Sequence, residues 1–210
     1  MLHKAKLLTD FTLDCLDGKI GKVKGFFFDD KLWSIGYLVA DMGNRFTGGQ
    51  VLISPRALGA VMRDEQHIII NLTKKQIEDN LSQGSEIVKK CTQGLKARDF
   101  LLRNTHDVCG HRIQAADGKV GHVDDFIIDD EMWEIRCLVI DTRNWWPGKK
   151  VLVSTQWIER VSCRERKVFV NLSCESIKQS PEYTEKSLIT RDYETGRHRH
   201  YNRVKLGPTR

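Results

Sequence analysis

The 210-residue sequence has no apolar run approaching the roughly 20 residues of a membrane-spanning helix, which argues against an integral membrane protein of the helical kind. Its start, Met1-Leu2-His3-Lys4-Ala5-Lys6, lacks an apolar stretch of signal-peptide length followed by a small-residue cleavage site. No export signal is therefore predicted, and the cytoplasm is the expected compartment. Six cysteines are too few for a disulfide-stapled scaffold in a chain this long, and in a reducing compartment they are expected to stay mostly as thiols. Also missing are a Gly-x-Ser-x-Gly nucleophile elbow, a Gly-x-Gly-x-x-Gly turn and a P-loop, so the sequence carries none of these signals for acyl transfer, dinucleotide binding or nucleotide hydrolysis. What is present, 40% hydrophobic residues and a net charge of +6 from 34 basic and 28 acidic side chains, fits a globular protein and neither a collagen nor a disordered chain.

Self-comparison decides the architecture. Asp17-Gly18-Lys19-Ile20-Gly21-Lys22-Val23 returns as Asp117-Gly118-Lys119-Val120-Gly121-His122-Val123, an offset of 100 that holds without a gap for some sixty residues. Asp29-Asp30, Trp33, Leu38-Val39, Asp41, Val51-Leu52, Ser54 and Asn71-Leu72 all recur at that offset. The chain is two copies of one domain, residues 1–81 and 104–178, with a connector at 82–103 and a tail at 179–210. In each copy an Asp-Gly turn precedes an alternating stretch (Ile20, Val23, Phe26, Phe28 and Val120, Val123, Phe126, Ile128), followed by short β-branched runs such as 35–40, 51–53 and 67–70. Five or six short strands in each copy predict a mainly β fold of two tandem small β-barrels, because closure removes exposed edges. Helix is expected only as short pieces at 74–81 and 174–179.

The combination Asp-Gly-Lys-x-Gly-x-Val, then Leu-Val-x-Asp, then Gly-x-x-Val-Leu-(Ile/Val)-Ser resembles the PRC-barrel family, the fold of the cytoplasmic part of the photosynthetic reaction centre H subunit. The second copy is the closer match, through Leu138 to Ser154, and Ser180-Pro181-Glu182-Tyr183 with Arg191-Asp192-Tyr193-Glu194 is similar to the segment after the second barrel in bacterial tandem members. The resemblance implies a barrel fold and supplies no catalytic residues or cofactor. Because the family also includes the C-terminal domain of a ribosome-maturation factor, it leaves an RNA- or ribosome-associated role open.

Charge is unevenly spread. Residues 1–81 hold 11 basic and 10 acidic side chains and residues 104–178 hold 11 and 12, so each copy is near neutral, whereas the connector has 5 against 2 and the tail 7 against 4. Arg197, Arg199, Arg203 and Lys205, interleaved with His198, His200 and Tyr201, form a basic arm that reads either as a solvated terminus or as an electrostatic contact for nucleic acid.

The candidates for chemistry reduce to structural roles. Asp29-Asp30 and Asp129-Asp130 sit between strands, where carboxylates accept turn N–H bonds; Asp41 and Asp141 end apolar strands and read as caps. His106-x-x-Cys109-x-His111 and His198-x-His200 lack the second ligand pair of a zinc site, so no metal, cofactor or catalytic set is assigned. Cys137, inside an apolar strand, reads as a small core residue, and the recurrence of Trp33 as Trp133 points to a shared structural use. Trp157, opposite Ala57, suggests packing particular to the second copy. Phe46, aligned with Trp145-Trp146, lies in a loop and is either a plug over the barrel mouth or an anchor for a protein contact. The expected function is a non-enzymatic protein-interaction or adaptor module for an unidentified protein partner, with RNA binding through the tail as the alternative.

Overall fold

The computed structural model describes residues 1–43, 49–90, 102–142 and 148–184. The chain is mainly β, with two multi-stranded sheets and short helices. It divides into two compact units. The first holds Lys4–His106 with Asp130–Glu134; the second holds Met1–His3, Asp107–Asp129 and the chain from Ile135 onward.

In the first unit β2 (Thr12–Cys15), β3 (Gly18–Asp29), β4 (Ile35–Asp41) and β5 (Gln50–Ile53) are joined as an antiparallel meander. β6 (Leu58–Met62) and β7 (His67–Ile70) form a hairpin, and β7 runs parallel to β2, with Leu13 opposite Ile68 and Cys15 opposite Ile70. Two strands come from the connector: β8 (Val88–Lys90) lies antiparallel on β5, and β9 (Leu102–Asn104) pairs with β3, Phe28 facing Arg103. The strand order is β6-β7-β2-β3-β4-β5-β8. The second unit repeats the plan with β10 (Arg112–Ala115), β11 (Gly118–Asp129), β12 (Glu134–Asp141), β13 (Lys150–Ser154), β14 (Ile158–Ser162) and β15 (Lys167–Val170), in the order β13-β12-β11-β10-β15-β14, with β1 (Leu2–Lys4) on β11.

Neither sheet closes into the barrel that the strand count predicts: among the described residues each order is an open path with two end strands. The reason is visible at β5, whose second edge is taken by β8 and so is not available to another strand of its own copy. At the same place in the second unit, the N–H of Tyr183 donates to the carbonyl of Lys150 at 2.7 Å.

Alternation puts one side chain in two into each core. Leu13, Val23, Phe26, Phe28, Leu38, Ile53, Ile68 and Ile70 are buried in the first unit; Ile113, Val123, Phe126, Ile128, Leu138, Val153, Val168 and Val170 occupy the matching places in the second. A second layer covers the other face of the central strands. It contains Tyr37, Val39 and Leu52 with Phe27 and Leu102 in the first unit, and Cys137, Val139, Leu152 and Ile127 with Leu2 and Tyr183 in the second. Cys137 is thus a core residue, as its strand position predicts. Tyr183 is 5% exposed, so the packed structure of the second unit runs past the point where the sequence placed the start of a tail.

The helix at the end of the first copy, α2 (Lys74–Gln83), is longer than the short piece expected. Thr73 and Gln76 form a capping box at its start, and Gly84 in the left-handed conformation ends it. Its partner in the second copy, α4 (Cys174–Lys178), is capped by Ser173, whose hydroxyl accepts from the Ser176 N–H. The short helices α1 (Ala5–Leu8) and α3 (Thr105–Val108), which the sequence did not reveal, each follow a three-residue strand.

The repeated Asp-Gly-Lys-x-Gly motif now has a physical basis. A side-chain carbon on Gly121 would lie 2.0 Å from the carbonyl oxygen of Asp141, and one on Gly21 would lie 2.2 Å from that of Asp41. Gly121 also adopts a φ of +75°, a region that disfavours a side chain. Gly121→Ala is therefore expected to destabilise the protein by on the order of 3 kcal/mol through backbone displacement and strain, measured by urea unfolding followed by tryptophan fluorescence. An unchanged midpoint would show that the two backbones do not approach this closely.

Candidate functional site

Four of the repeated acidic residues, Asp17, Asp117, Asp29 and Asp41, are occupied in holding backbone. Asp17 Oδ1 accepts from the N–H of Lys74 at 2.9 Å, and Asp117 Oδ1 from that of Cys174 at 2.7 Å, so the first turn of each copy caps its last helix. That N–H bond holds the Asp117 carboxyl below the usual carboxylate range. Asp29 Oδ1 accepts from Lys31 and Leu32 at 2.8 and 2.9 Å, and its carbonyl accepts from Trp33. Trp33 and Trp133 both adopt left-handed backbone, with φ of 58° and 52°, and both rings are buried. Their recurrence therefore marks one shared turn geometry. Asp30 pairs with Arg103 at 2.8 Å, and Asp41 Oδ1 caps its loop through the N–H of Gly43 at 3.0 Å.

His106, Cys109 and His111 do not assemble a site. His111 is 3% exposed and stands where the first copy has Phe11, also buried, so it takes the place of a core aromatic. Neither of its ring nitrogens has a hydrogen-bond partner. Cys109 donates to the carbonyl of Asp124 at 3.4 Å. Among the described residues no three His, Cys, Asp or Glu side chains converge as metal ligands. Burial, reinforced by Arg166 and opposed by Asp107, lowers the pKa of His111 below its ordinary value. A base with a depressed folded pKa is neutral in the core and charged in the unfolded chain. Its stabilising effect is complete above the ordinary histidine pKa near 6.5 and is lost as pH falls from there towards the folded pKa. Thermal midpoints measured from pH 7.5 to 5.0 should thus fall further for the wild type than for His111→Phe. Parallel curves would show that His111 is not held neutral by burial.

Two buried thiols, Cys15 and Cys174, are similarly unsuited to nucleophilic work. Burial, with Asp17 nearby, pushes Cys15 up to about 12; burial and the Asp117 carboxylate push Cys174 up to about 11. Cys15, Cys137 and Cys174 are buried, whereas Cys163 is exposed. In the native protein at pH 8, a thiol reagent should label Cys163 and reach Cys15, Cys137 and Cys174 only on unfolding, as peptide mass mapping would show. Labelling of Cys15 or Cys174 at the rate of Cys163 would contradict their burial.

Phe46, Trp145, Trp146 and the basic side chains Arg197, Arg199, Arg203 and Lys205 lie outside the described residues. Trp157 is buried at the end of a 3-10 turn in the second unit.

Three surface features were not singled out from sequence. In the first unit, Leu32 is 74% exposed and Met132 64% exposed, at equivalent places in the two recurring turns. Those turns are bridged: Ser34 pairs with Glu134, and the N–H of Ile35 donates to the carbonyl of Trp133 at 2.7 Å. The first unit also has a cleft of about 440 Å³ lined by Lys19, Lys22, Lys24 and Asp41, where the Lys24 ammonium is held by Asp10 at 3.0 Å.

The third feature is the outward face of β10, β15 and β14 in the second unit. Register places Arg112 beside His122 and Lys167, Gln114 beside Phe169, and Phe169 beside Arg160. The Arg160 guanidinium lies 3.5 Å from the Phe169 ring centroid, and Lys167 Nζ lies 5.7 Å from it. Glu165 holds both cations, Arg160 at 3.1 Å and Lys167 at 3.6 Å, and the Arg160 bond lowers its pKa. Position-by-position comparison of the copies was the signal that could have found this face. Arg112, Arg160, Arg164, Arg166, Lys167 and Phe169 replace Thr12, Ala60, Asp64, Gln66, His67 and Ile69.

No family model matches the chain, and no curated protein matches it. Among the described residues, no helix is long and apolar enough to cross a membrane.

Proposed function

We propose that this chain is a non-enzymatic protein-interaction module, an adaptor working in the cytoplasm, built on two PRC-like domains. The observation that carries this reading is the pair Leu32 and Met132. Each is a large apolar side chain held out to solvent by a turn that ends in a left-handed tryptophan, and the turn of Leu32 is further fixed by the Asp29 carboxylate. A lone exposed hydrophobic residue is ordinary surface, but one recurring at the tips of two turns bridged to each other supplies rigid contact area with little ordering cost. Asp17, Asp117, Asp29 and Asp41, repeated carboxylates that might have served as acids or bases, are engaged in caps and turns, which supports a binding role over a chemical one.

The double variant Leu32→Asp/Met132→Asp is expected to reduce capture of a nuclease-resistant protein partner from native cytosol by roughly ten-fold or more, with its thermal midpoint unchanged, since interface anchors cost about 2 kcal/mol each when removed. Undiminished capture would exclude the turn tips as the interface and return attention to Phe46, Trp145 and Trp146. The alternative, an RNA-associated role through the basic tail, is tested by neutralising Arg197, Arg199, Arg203 and Lys205. Truncation at Ser180 does not serve, because it strips Tyr183 from the core of the second unit.

A further inference from the structure

We infer that the outward face of β10, β15 and β14 in the second unit is a binding surface for single-stranded nucleic acid. This goes beyond the protein-contact reading, since it uses a different unit and different side chains. Three observations converge on it.

Charge is the first. Across positions 112–115 and 158–167 the second copy carries Arg112, Arg160, Arg164, Arg166 and Lys167 against Glu159 and Glu165. The first copy has only Arg63 at the corresponding positions, against Asp14, Asp64 and Glu65. The two copies share a backbone plan, so folding does not demand this charge: β2, β6 and β7 form the same sheet with Thr12, Ala60 and His67 in these places. Arg112, Arg164 and Arg166 are exposed and have no carboxylate within ion-pair distance among the described residues. Unneutralised guanidinium groups on β10 and on the turn that joins β14 to β15 suit a phosphate backbone, which each can contact through two N–H donors.

Stacking is the second. Arg160 lies flat enough on Phe169 to bring its central carbon within 3.5 Å of the ring centroid, and Glu165 fixes it there. Phe169 is only half-buried. Bases unpaired from a duplex stack on such aromatic and guanidinium planes, at about 1–3 kcal/mol per base; a duplex offers none. An acidic peptide would use the charge but not the plane.

Hydrogen bonding is the third. Gln114, half-buried beside Phe169, donates through its amide to the carbonyls of Ala115 and Gly118 at 3.2 and 2.9 Å, which holds it on the face. Its side-chain oxygen remains as an acceptor for a base amino group, where the first copy has Asp14 next to His67, 3.8 Å apart.

The test measures fluorescence anisotropy of a labelled oligouridylate of about 12 nucleotides against the full chain over a range of salt. One variant gives the face the first copy's residues, Arg112→Thr, Arg164→Asp and Arg166→Gln; a second changes the same three to Gln, and thermal midpoints confirm that each is folded. Both should lose roughly ten-fold or more in affinity, and the slope of log affinity against log salt should become shallower by about 2, three phosphate contacts having been removed. Arg160→Lys, which keeps charge but not the plane, should weaken the oligonucleotide with its salt slope unchanged. Oligothymidylate should bind comparably and a duplex of the same length more weakly. Affinities of both triple variants within two-fold of wild type would overturn the proposal. Loss of binding on neutralising only the four tail cations would overturn it in favour of the tail, and competition by polyglutamate equal to that by RNA would overturn it in favour of an acidic protein face. Because none of these arms touches Leu32 or Met132, its failure and that of the adaptor reading are separable.

Discussion

Each copy depends on a carboxylate reaching across 57 residues of sequence. Asp17 and Asp117 sit in the turn that opens a copy, and each accepts the N–H at the start of the helix that closes it. The first turn of a helix leaves N–H groups that no intrahelical carbonyl can reach, and a carboxylate satisfies one while also meeting the positive end of the helix dipole. The bond is made possible by the parallel alignment of the first and last strands of the copy, β2 with β7 and β10 with β15. Without that alignment the opening turn and the closing helix would be at opposite ends of the sheet. The close approach of Gly21 to the carbonyl of Asp41, repeated by Gly121 and Asp141, falls where the strand that leaves the opening turn passes the end of the strand that follows it.

These constraints explain which parts were legible beforehand. The offset of 100 reveals the duplication because the residues it preserves, Asp17, Gly21, Asp29 and Trp33 with their twins, are those whose geometry nothing else reproduces: a cap, a close approach, an Asp turn and a left-handed tryptophan. Alternation in β3 and β11 shows which side chains face inward, since period two in a strand is a local property. That the sheets stay open was not foreseeable from such patterns, because in the first unit it is decided by what takes the edge of β5. The occupant is β8, a three-residue strand in a connector with no periodicity to display. The same holds for β1 and β9, and for Tyr183, whose burial depends on an edge in another part of the sequence. The aromatic residues Phe46, Trp145 and Trp146 gave a candidate contact from sequence; the turn tips Leu32 and Met132 did not, because exposure of an apolar side chain cannot be read from its type.

His111 marks a different kind of miss. The signal was present, since its twin is Phe11, yet a histidine within two residues of a cysteine draws attention as a ligand first. The physical arbiter is the company it keeps. A metal ligand needs neighbouring ligands and a partner for its second nitrogen, while a core substitution needs only room for a ring, and the site supplies room alone.

Segment totals hide the most informative divergence between the copies. Residues 104–178 are near neutral, with 11 basic and 12 acidic side chains, because charge was summed without regard to where each group points. Asp125, Asp129 and Asp141 are buried, Asp117 caps a helix, and Asp124 is held by Lys150 at 2.8 Å, so several of the acids do not face solvent beside the arginines. The field felt by an approaching polyanion comes from the exposed face, where guanidinium groups dominate within a Debye length of about 10 Å at moderate salt. Duplication makes the comparison a controlled one. Two sheets with the same register differ by outward substitutions that run mostly towards positive charge, with Glu159 for Gly59 and Cys163 for Arg63 as the exceptions, and the inward positions beside them remain apolar in both. Drift under a purely structural constraint would be expected to scatter charges of either sign over such a face. The second copy instead accumulates arginine around an aromatic ring, and that bias is what a recognition surface would leave in the sequence.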